Sequence, residues 1–379
     1  MEFKKIAELT NVVTGGTPST KKTEYWNNGN IPWLQSGCCQ NCDVDVVDKF
    51  ITYDGYINSS AKMMPKHTVM IALTGATAGK VGYLNFEACG NQSITGILPS
   101  NDLNQRYLYY FLMSQRKNIL SDCIGGAQPH ISQRYVKDIK VPVLGLDEQQ
   151  KIADVFLSIS KIIQNKNKKL KKLDDLIKGR FVEMFGDPVL NEKGWKTKPL
   201  LDMGKCKNGM NFHYDDSGVE INCLGVGDFK DLSVIDNTKQ LPIVSLNDMP
   251  SEEYLLKDND IVFVRSNGNK SLVGRSIAVY PGDVVTTFSG FCIRYRKHDD
   301  AVIIPYLLRA LKADSIRRKM AGRGANIQNL NQQILSTLII PIPPIELQNK
   351  FADFVKAVDK SKFQEEIQLK TTELTAKKC

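Results

Sequence analysis

A chain of 379 residues with 42% hydrophobic and 24% charged residues exceeds the usual size of a single core, which predicts two folded domains and excludes a disordered or fibrous protein. No run reaches the roughly eighteen consecutive apolar residues of a membrane span, and the start MEFKKIAELTNVV lacks an apolar signal core and a small-residue cleavage site, so a cytoplasmic protein with no membrane partner is expected. Nine cysteines without a repeated framework read as reduced thiols, and a net charge of +9 points to a polyanionic partner without defining a site.

In chain order, Val69-Met-Ile-Ala-Leu-Thr is a short apolar run of strand type, followed by the loop Thr74-Gly-Ala-Thr-Ala-Gly-Lys80 and the pair Val81-Gly82. Tyr107 to Leu120 reads as an amphipathic helix, and Ile131 to Pro142 leads out of the first domain. From Asp147, apolar residues recur at Ile152, Val155, Ile159, Ile162, Leu170, Leu173, Ile177 and Phe181, with Lys166 as the exception, a 3-4 alternation that predicts a long helix with one coiled-coil seam. Pro142 and Asp147-Glu148 mark its start and Gly186-Asp-Pro188 its end, giving a length on the order of 50 Å. The lysine run Lys166 to Lys172 falls opposite the seam and reads as a solvated face.

The second domain carries Ile261-Val-Phe-Val-Arg-Ser, the loop Arg265-Ser-Asn-Gly-Asn-Lys270, the pair Val273-Gly274, Arg275 and a helix from Tyr306 to Met320. After Pro341-Ile-Pro-Pro344 comes a second amphipathic helix with Phe351, Phe354, Val355, Val358, Phe363, Ile367 and Leu374. Two such helices in one chain bury their stripes most simply against one another, antiparallel.

The two halves repeat. An offset of 199 carries Gln133 onto Gln332, Pro142 onto Pro341, Lys151 onto Lys350, and Tyr107-Leu108 onto Tyr306-Leu307. Upstream, Val81-Gly82 and Val273-Gly274 align at 192, so loop lengths differ between copies. The predicted fold is α+β: two similar globular domains, residues 1–146 and 187–343, separated by two long antiparallel coiled-coil helices, 147–186 and 344–379, as a pseudo-twofold internal repeat.

This pattern resembles the DNA-specificity subunits of type I restriction-modification systems, in which two target-recognition domains alternate with two helical regions. The matching residues are Lys5-Ile-Ala-Glu-Leu-Thr with Gly15-Gly-Thr-Pro18, the 73–80 loop, the exits at Pro142 and Pro341-Ile-Pro-Pro344, Glu148-Gln-Gln-Lys-Ile-Ala153, and Phe181-Val-Glu-Met-Phe-Gly-Asp187. Glu346-Leu-Gln348 stands where the family has an acidic-Gln pair. The resemblance implies a non-catalytic subunit that reads a bipartite site in double-stranded DNA. It also implies two methylation subunits and restriction/translocase subunits as partners, with S-adenosylmethionine, ATP and Mg held by those partners rather than by this chain.

Base edges are read by Arg, Lys, Asn and Gln on loops. The first domain offers Thr74, Thr77 and Lys80, with Gln92, Gln128 and His130 beside them in the repeat order. The second offers Arg265, Asn267, Asn269, Lys270 and Arg275, then Arg323, Asn326 and Gln328. Asn-Gly and Ser-Asn-Gly also serve as simple turns, and Arg317-Arg318-Lys319 suits either phosphates or a helix C-terminus. Partner docking falls to the helices, at Ile152, Ile159, Leu170, Leu173, Ile177, Phe351, Phe354 and Val358.

The 74–80 loop lacks the Gly-x4-Gly-Lys-Ser/Thr string of a P-loop, and Cys38-Cys39-x-x-Cys42 lacks a second pair at zinc-finger spacing. Neither a dinucleotide fingerprint, an Asn-Pro-Pro methylation motif nor a nucleophile elbow is present, so no metal and no chemistry are expected of this chain. The alternative is a helical adaptor whose domains do not read DNA.

Overall fold

The computed structural model describes residues 2–122, 130–212, 216–229, 233–321 and 329–378. They form two compact units, Met1–Gln164 with Thr372–Cys379, and Asn165–Thr371.

The first unit is built on a five-stranded sheet in the order Val12–Thr14, Ile94–Ile97, Val69–Ala72, Val81–Leu84, Cys42–Val44. The first three junctions are antiparallel and the last is parallel. Val69, Met70, Ile71 and Ala72 are all fully buried, because alternate side chains enter two different cores. Val69 and Ile71 pack under the helix Gln105–Ser121 with Leu108 and Leu112. Met70 and Ala72 pack on Leu34, Met64 and Ala88 of a second, four-stranded sheet. Asn104 caps the helix, its side chain accepting from the Arg106 and Tyr107 amides.

The second unit repeats this plan. Its five-stranded sheet runs Gly204–Asn208, Cys292–Lys297, Asp260–Val264, Ser276–Val279, Val234–Ile235, with the same directions at every junction. The accompanying sheet has three strands instead of four. The helix predicted over Tyr306 to Met320 is two helices, Ile304–Leu311 and Asp314–Ala321. The second carries Asp314 in its first turn and Arg318 and Lys319 in its last, charges that favour a separate helix with its own dipole.

Each domain is closed by its own ends. Glu2–Lys5 pairs with Lys140–Val143, and Lys196–Pro199 pairs with Ile339–Ile342. The Tyr107 hydroxyl donates to the Pro142 carbonyl at 2.9 Å and the Tyr306 hydroxyl to the Pro341 carbonyl at 2.8 Å, the same bond at the 199 offset. A second latch recurs one step on. Buried Gln149 accepts from the Asn104 amide at 2.8 Å and donates to Leu144 O at 2.9 Å; buried Gln348 accepts from the Ile303 amide at 2.9 Å and donates to Pro343 O at 2.8 Å. The glutamine of Glu346-Leu-Gln348 thus keeps its structural place, and Leu347 stands where the first copy has Glu148.

Gly15 shows why the opening motif needs glycine. Its amide donates to Ile94 O at 3.1 Å, and a Cβ built there would meet Gly90 O at 2.1 Å, inside any tolerable contact. Gly209 repeats the arrangement, with its amide on Cys292 O at 3.0 Å and a Cβ only 2.0 Å from Ser289 O.

The two long helices span Leu146–Phe185 and Ile345–Lys378. Within the second unit they run antiparallel: Phe181 and Phe351 meet with ring centroids 5.5 Å apart, Lys362 pairs with Asp174 at 2.6 Å, and Lys166 bonds Gln368 at 2.6 Å. Two sequence readings change here. Lys166 and Lys169 face the other helix, both pairing with Glu365, because a lysine stem can lie along apolar surface while its ammonium reaches a carboxylate. The predicted seam is also not buried throughout: Phe181 and Ile177 are core, whereas Val155 and Ile162 are exposed and Ala153 is buried in the first unit instead.

Candidate nucleic-acid interface

In both domains the candidate loop is the connection of a hairpin, and backbone hydrogen bonds superimpose the two copies in sequence. In the first, the Gly79 amide donates to Ala72 O at 2.9 Å, the Ala72 amide to Lys80 O at 3.0 Å, and the Lys80 amide to Thr77 O at 2.8 Å. In the second, the Gly274 amide donates to Val264 O at 2.8 Å, the Val264 amide to Arg275 O at 2.9 Å, and the Arg275 amide to Leu272 O at 3.0 Å. Gly79 and Gly274 both hold φ near the left-handed region, at 71° and 74°.

This register corrects the alignment of Val81-Gly82 with Val273-Gly274. Gly82 lies inside a strand, whereas Gly274 is the left-handed residue before one, so its counterpart is Gly79. The sequence match was misled by a loop of eleven residues (265–275) standing where the first domain has eight (73–80). Once corrected, Lys80 and Arg275 occupy the same position. Each domain thus presents one long cation immediately after the turn.

The second candidate segment joins the first in space. Thr74 forms a β-bridge with His130, and Ser266 forms one with Asn329. The Ile131 amide donates to Leu73 O and the Leu330 amide to Arg265 O, both at 2.8 Å. A third chain segment completes the cluster: the Leu73 amide donates to Ser93 O at 2.9 Å, and the Arg265 amide to Phe291 O at 2.8 Å. Gln92 is exposed beside Ser93 and hydrogen-bonds Thr17 of the Gly-Gly-Thr-Pro turn. Thr74, Thr77, Lys80, Gln92 and His130 are therefore neighbours through a shared backbone network.

Individual side chains are partly engaged. Lys80 Nζ donates to Gln40 Oε1 at 2.7 Å, and Arg265 Nη1 donates to Gly290 O at 3.2 Å. The Asn267 and Asn269 side-chain oxygens accept from the amides of Asn269 and Ser271, at 2.8 and 3.1 Å, so both shape the loop as turn residues. Gln128, Arg323, Asn326 and Gln328, and the side chain of Lys270, lie outside the described residues. Sequence reasoning passed over Phe291, which is 61% exposed between Arg265 and Ser266; an isolated aromatic carries no periodic signal.

On the long helices, Ile177, Phe351 and Val358 are buried in the chain's own core, and Ile152, Ile159, Leu170, Leu173 and Phe354 are half-buried. A docking protein cannot reach the first three, because the two helices already fill that seam. Leu146, Val155, Ile162, Leu176, Val182, Ile345, Phe363, Ile367 and Leu374 are the large apolar side chains left exposed on these helices. Among the described residues no cluster of three or more metal-ligating side chains occurs, and no helix is long and apolar enough to cross a membrane.

Comparison with known proteins matches this chain twice, over residues 1–174 and 192–372, to the family described as type I restriction modification DNA specificity domain. It is 30% identical over 230 residues to the type I restriction enzyme MjaIX specificity subunit of Methanocaldococcus jannaschii, a match covering 55% of this chain and 53% of that protein. The chain thus spans about half the length of that relative. With the StySPI specificity subunit of Salmonella potsdam it shares 22% identity over 379 residues, covering 93% of this chain and 80% of that one. In fold it is similar to the crystal structure of a type I system S subunit from M. genitalium, at a TM-score of 0.54 and 17% identity over 99% of this chain and 93% of that one.

Proposed function

The chain belongs to the type I restriction-modification DNA specificity family, and from that premise we propose that it reads a bipartite site in double-stranded DNA, one half per domain. The recognition domains are residues 1–146 and 187–343, with the helices 147–186 and 344–379 as spacer. The observation that carries the reading is the twice-built hairpin, with Lys80 and Arg275 at the same position and a second loop segment hydrogen-bonded beside each. Two similar readers in one chain suit two half-sites at a set distance, since half-site spacing follows protein dimensions.

In this reading Lys80 and Arg275 contact phosphates and fix register, while Thr74, Thr77, Gln92, Gln128 and His130 in one domain, and Arg265, Asn267, Asn269, Lys270, Arg323, Asn326 and Gln328 in the other, face base edges. The chain does no chemistry. It holds two methylation subunits, which bind S-adenosylmethionine, over target adenines flipped from the duplex. Restriction/translocase subunits supply the ATP- and Mg-dependent steps. The exposed helix positions Phe363 and Ile367 of the second unit are proposed as docking positions, and Val155 and Ile162 separately as those of the first.

The test is single-molecule mapping of methylated adenines in cells expressing this chain with its cognate methylation subunit. One split motif is expected, present only with this chain, and substitution within 265–275 should alter one half of it alone. A stable, active complex with no new motif would overturn the proposal in favour of an adaptor.

A further inference from the structure

The duplication lets one unit show what the other can hold. In the second unit Phe181 and Phe185 are each 2% exposed. Their rings rest on Tyr306, at centroid distances of 5.7 and 4.8 Å, and on Phe351, at 5.5 Å from both. Four residues apart on one helix, the two side chains leave it on the same face. At the 199 offset, Tyr107, Ile152, Phe156 and Ile159 are the first unit's counterparts of Tyr306, Phe351, Val355 and Val358.

Those four counterparts line a groove of about 880 Å³ within the first unit, together with Ala376, which stands where the second unit has Ile177. The wall that carries the phenylalanines is built in both units, since Tyr107 and Tyr306 are held by the same hydroxyl bond to a proline carbonyl. The cover differs. Phe351 is fully buried and Val358 is 6% exposed, whereas Ile152 and Ile159 are only half-buried. Ile152 for Phe351 and Ala376 for Ile177 both reduce bulk, and Phe156 adds an aromatic wall, its ring stacked on Tyr110 at 5.3 Å. Glu373 is the single charged side chain among the described lining residues.

Single exposed apolar residues are ordinary, but a contiguous concave apolar surface marks a place of association. We infer that this groove is a socket for a helix of a partner protein that presents two aromatic side chains one turn apart, as Phe181-Val-Glu-Met-Phe185 does in the second unit. Aromatic walls at Tyr107, Tyr110 and Phe156 suit aromatic occupants, whose rings pack edge-to-face or offset. Glu373 favours a helix with a Lys or Arg beside the aromatic pair, as Arg180 stands beside Phe181.

The probe is a fluorescein-labelled peptide with the sequence of residues 174–187, titrated into the full chain and followed by anisotropy. Saturable binding is expected, and it should weaken at least tenfold when both phenylalanines of the peptide are replaced by alanine, because buried aromatic anchors carry most of such binding energy. In the chain, Ile159→Glu sets a carboxylate in the groove and Phe156→Ala removes one wall, and each should weaken the unmodified peptide at least tenfold. Phe156→Ala adds no charge, so it decides the matter if Ile159→Glu fails to fold.

A benzophenone in place of the peptide's second phenylalanine should cross-link within 107–114 or 152–163. Absence of saturable binding, equal binding of the alanine peptide, unaltered affinity in both chain variants, or cross-links to 306–313 or 351–358 overturns the socket. Concentration-dependent self-association of the chain, lost in both variants, gives the groove to a second copy and overturns the partner helix. None of these readouts involves DNA, so they are independent of the function proposed above.

Discussion

Replacing Phe351 by alanine removes a fully buried ring whose centroid lies 5.5 Å from those of both Phe181 and Phe185, in edge-to-face contact with each. Phe181 and Phe185 keep their contacts with Tyr306, at 5.7 and 4.8 Å, so the cluster cannot collapse freely into the space. Loss of a buried phenylalanine costs about 3–5 kcal/mol, the two aromatic contacts accounting for roughly 0.5–1.5 kcal/mol each. Against a typical domain stability of about 5–15 kcal/mol, that is a large fraction. Trp195 reports on this region: its indole N–H donates to Phe185 O at 3.0 Å. Trp26 and Trp33 lie in the other unit and provide an internal reference. Denaturant unfolding followed by tryptophan emission should therefore show the Trp195 transition shifted and the other unchanged. The control is Phe363→Ala, on the same helix but 63% exposed, with an expected change within about 0.5 kcal/mol. A cost below about 1 kcal/mol for Phe351→Ala, or an equal cost for Phe363→Ala, would refute the assignment of these two positions to core and surface.

Three further outcomes are expected. Gly15→Ala drives a methyl into Gly90 O and should destabilise the first unit by more than about 2 kcal/mol, whereas Gly37→Ala, with nothing near its would-be Cβ, should be close to neutral in the same denaturation assay. Lys80→Ala and Arg275→Ala should each weaken duplex binding across sequences and lower the log–log salt slope by about one unit, measured by fluorescence anisotropy; a loss confined to one DNA sequence would mark that residue as a base reader instead. Lys312, pushed down to about 8 from 10.5, binds its proton less tightly folded than unfolded. Its penalty is present below pH 8 and relieved toward pH 10.5, so stability should rise with pH across that window. The rise is at most about 3 kcal/mol from this group, and comparison with Lys312→Met, which lacks it, isolates the contribution.

Much of the architecture was legible in the chain itself. Apolar spacing located both long helices, because a 3-4 alternation is a covalent property of the sequence that a helix turns into a stripe. The 199 offset located the duplication, and Tyr107 with Pro142, and Tyr306 with Pro341, then proved to make the same hydrogen bond in each copy. Gln149 and Gln348 were visible as aligned letters, but nothing local told them apart from surface glutamines. Their burial follows from backbone donors more than forty residues away in sequence, the Asn104 and Ile303 amides.

Which residues share a place is settled by contacts between distant parts of the chain. Lys80 and Arg275 are equivalent because backbone bonds to Ala72 and Val264 set the hairpin register, and an insertion in the loop hid that from alignment. Lys166 turns toward Glu365 rather than solvent, and Phe351 is buried where Phe363 is exposed, because the partner lying across a helix face is chosen by packing. Lys178, Arg275, Arg309, Lys312 and Arg317 line a common space although they come from a hairpin and three helices. Sequence periodicity determines the faces an element offers; contacts between residues distant in the chain determine what each face meets.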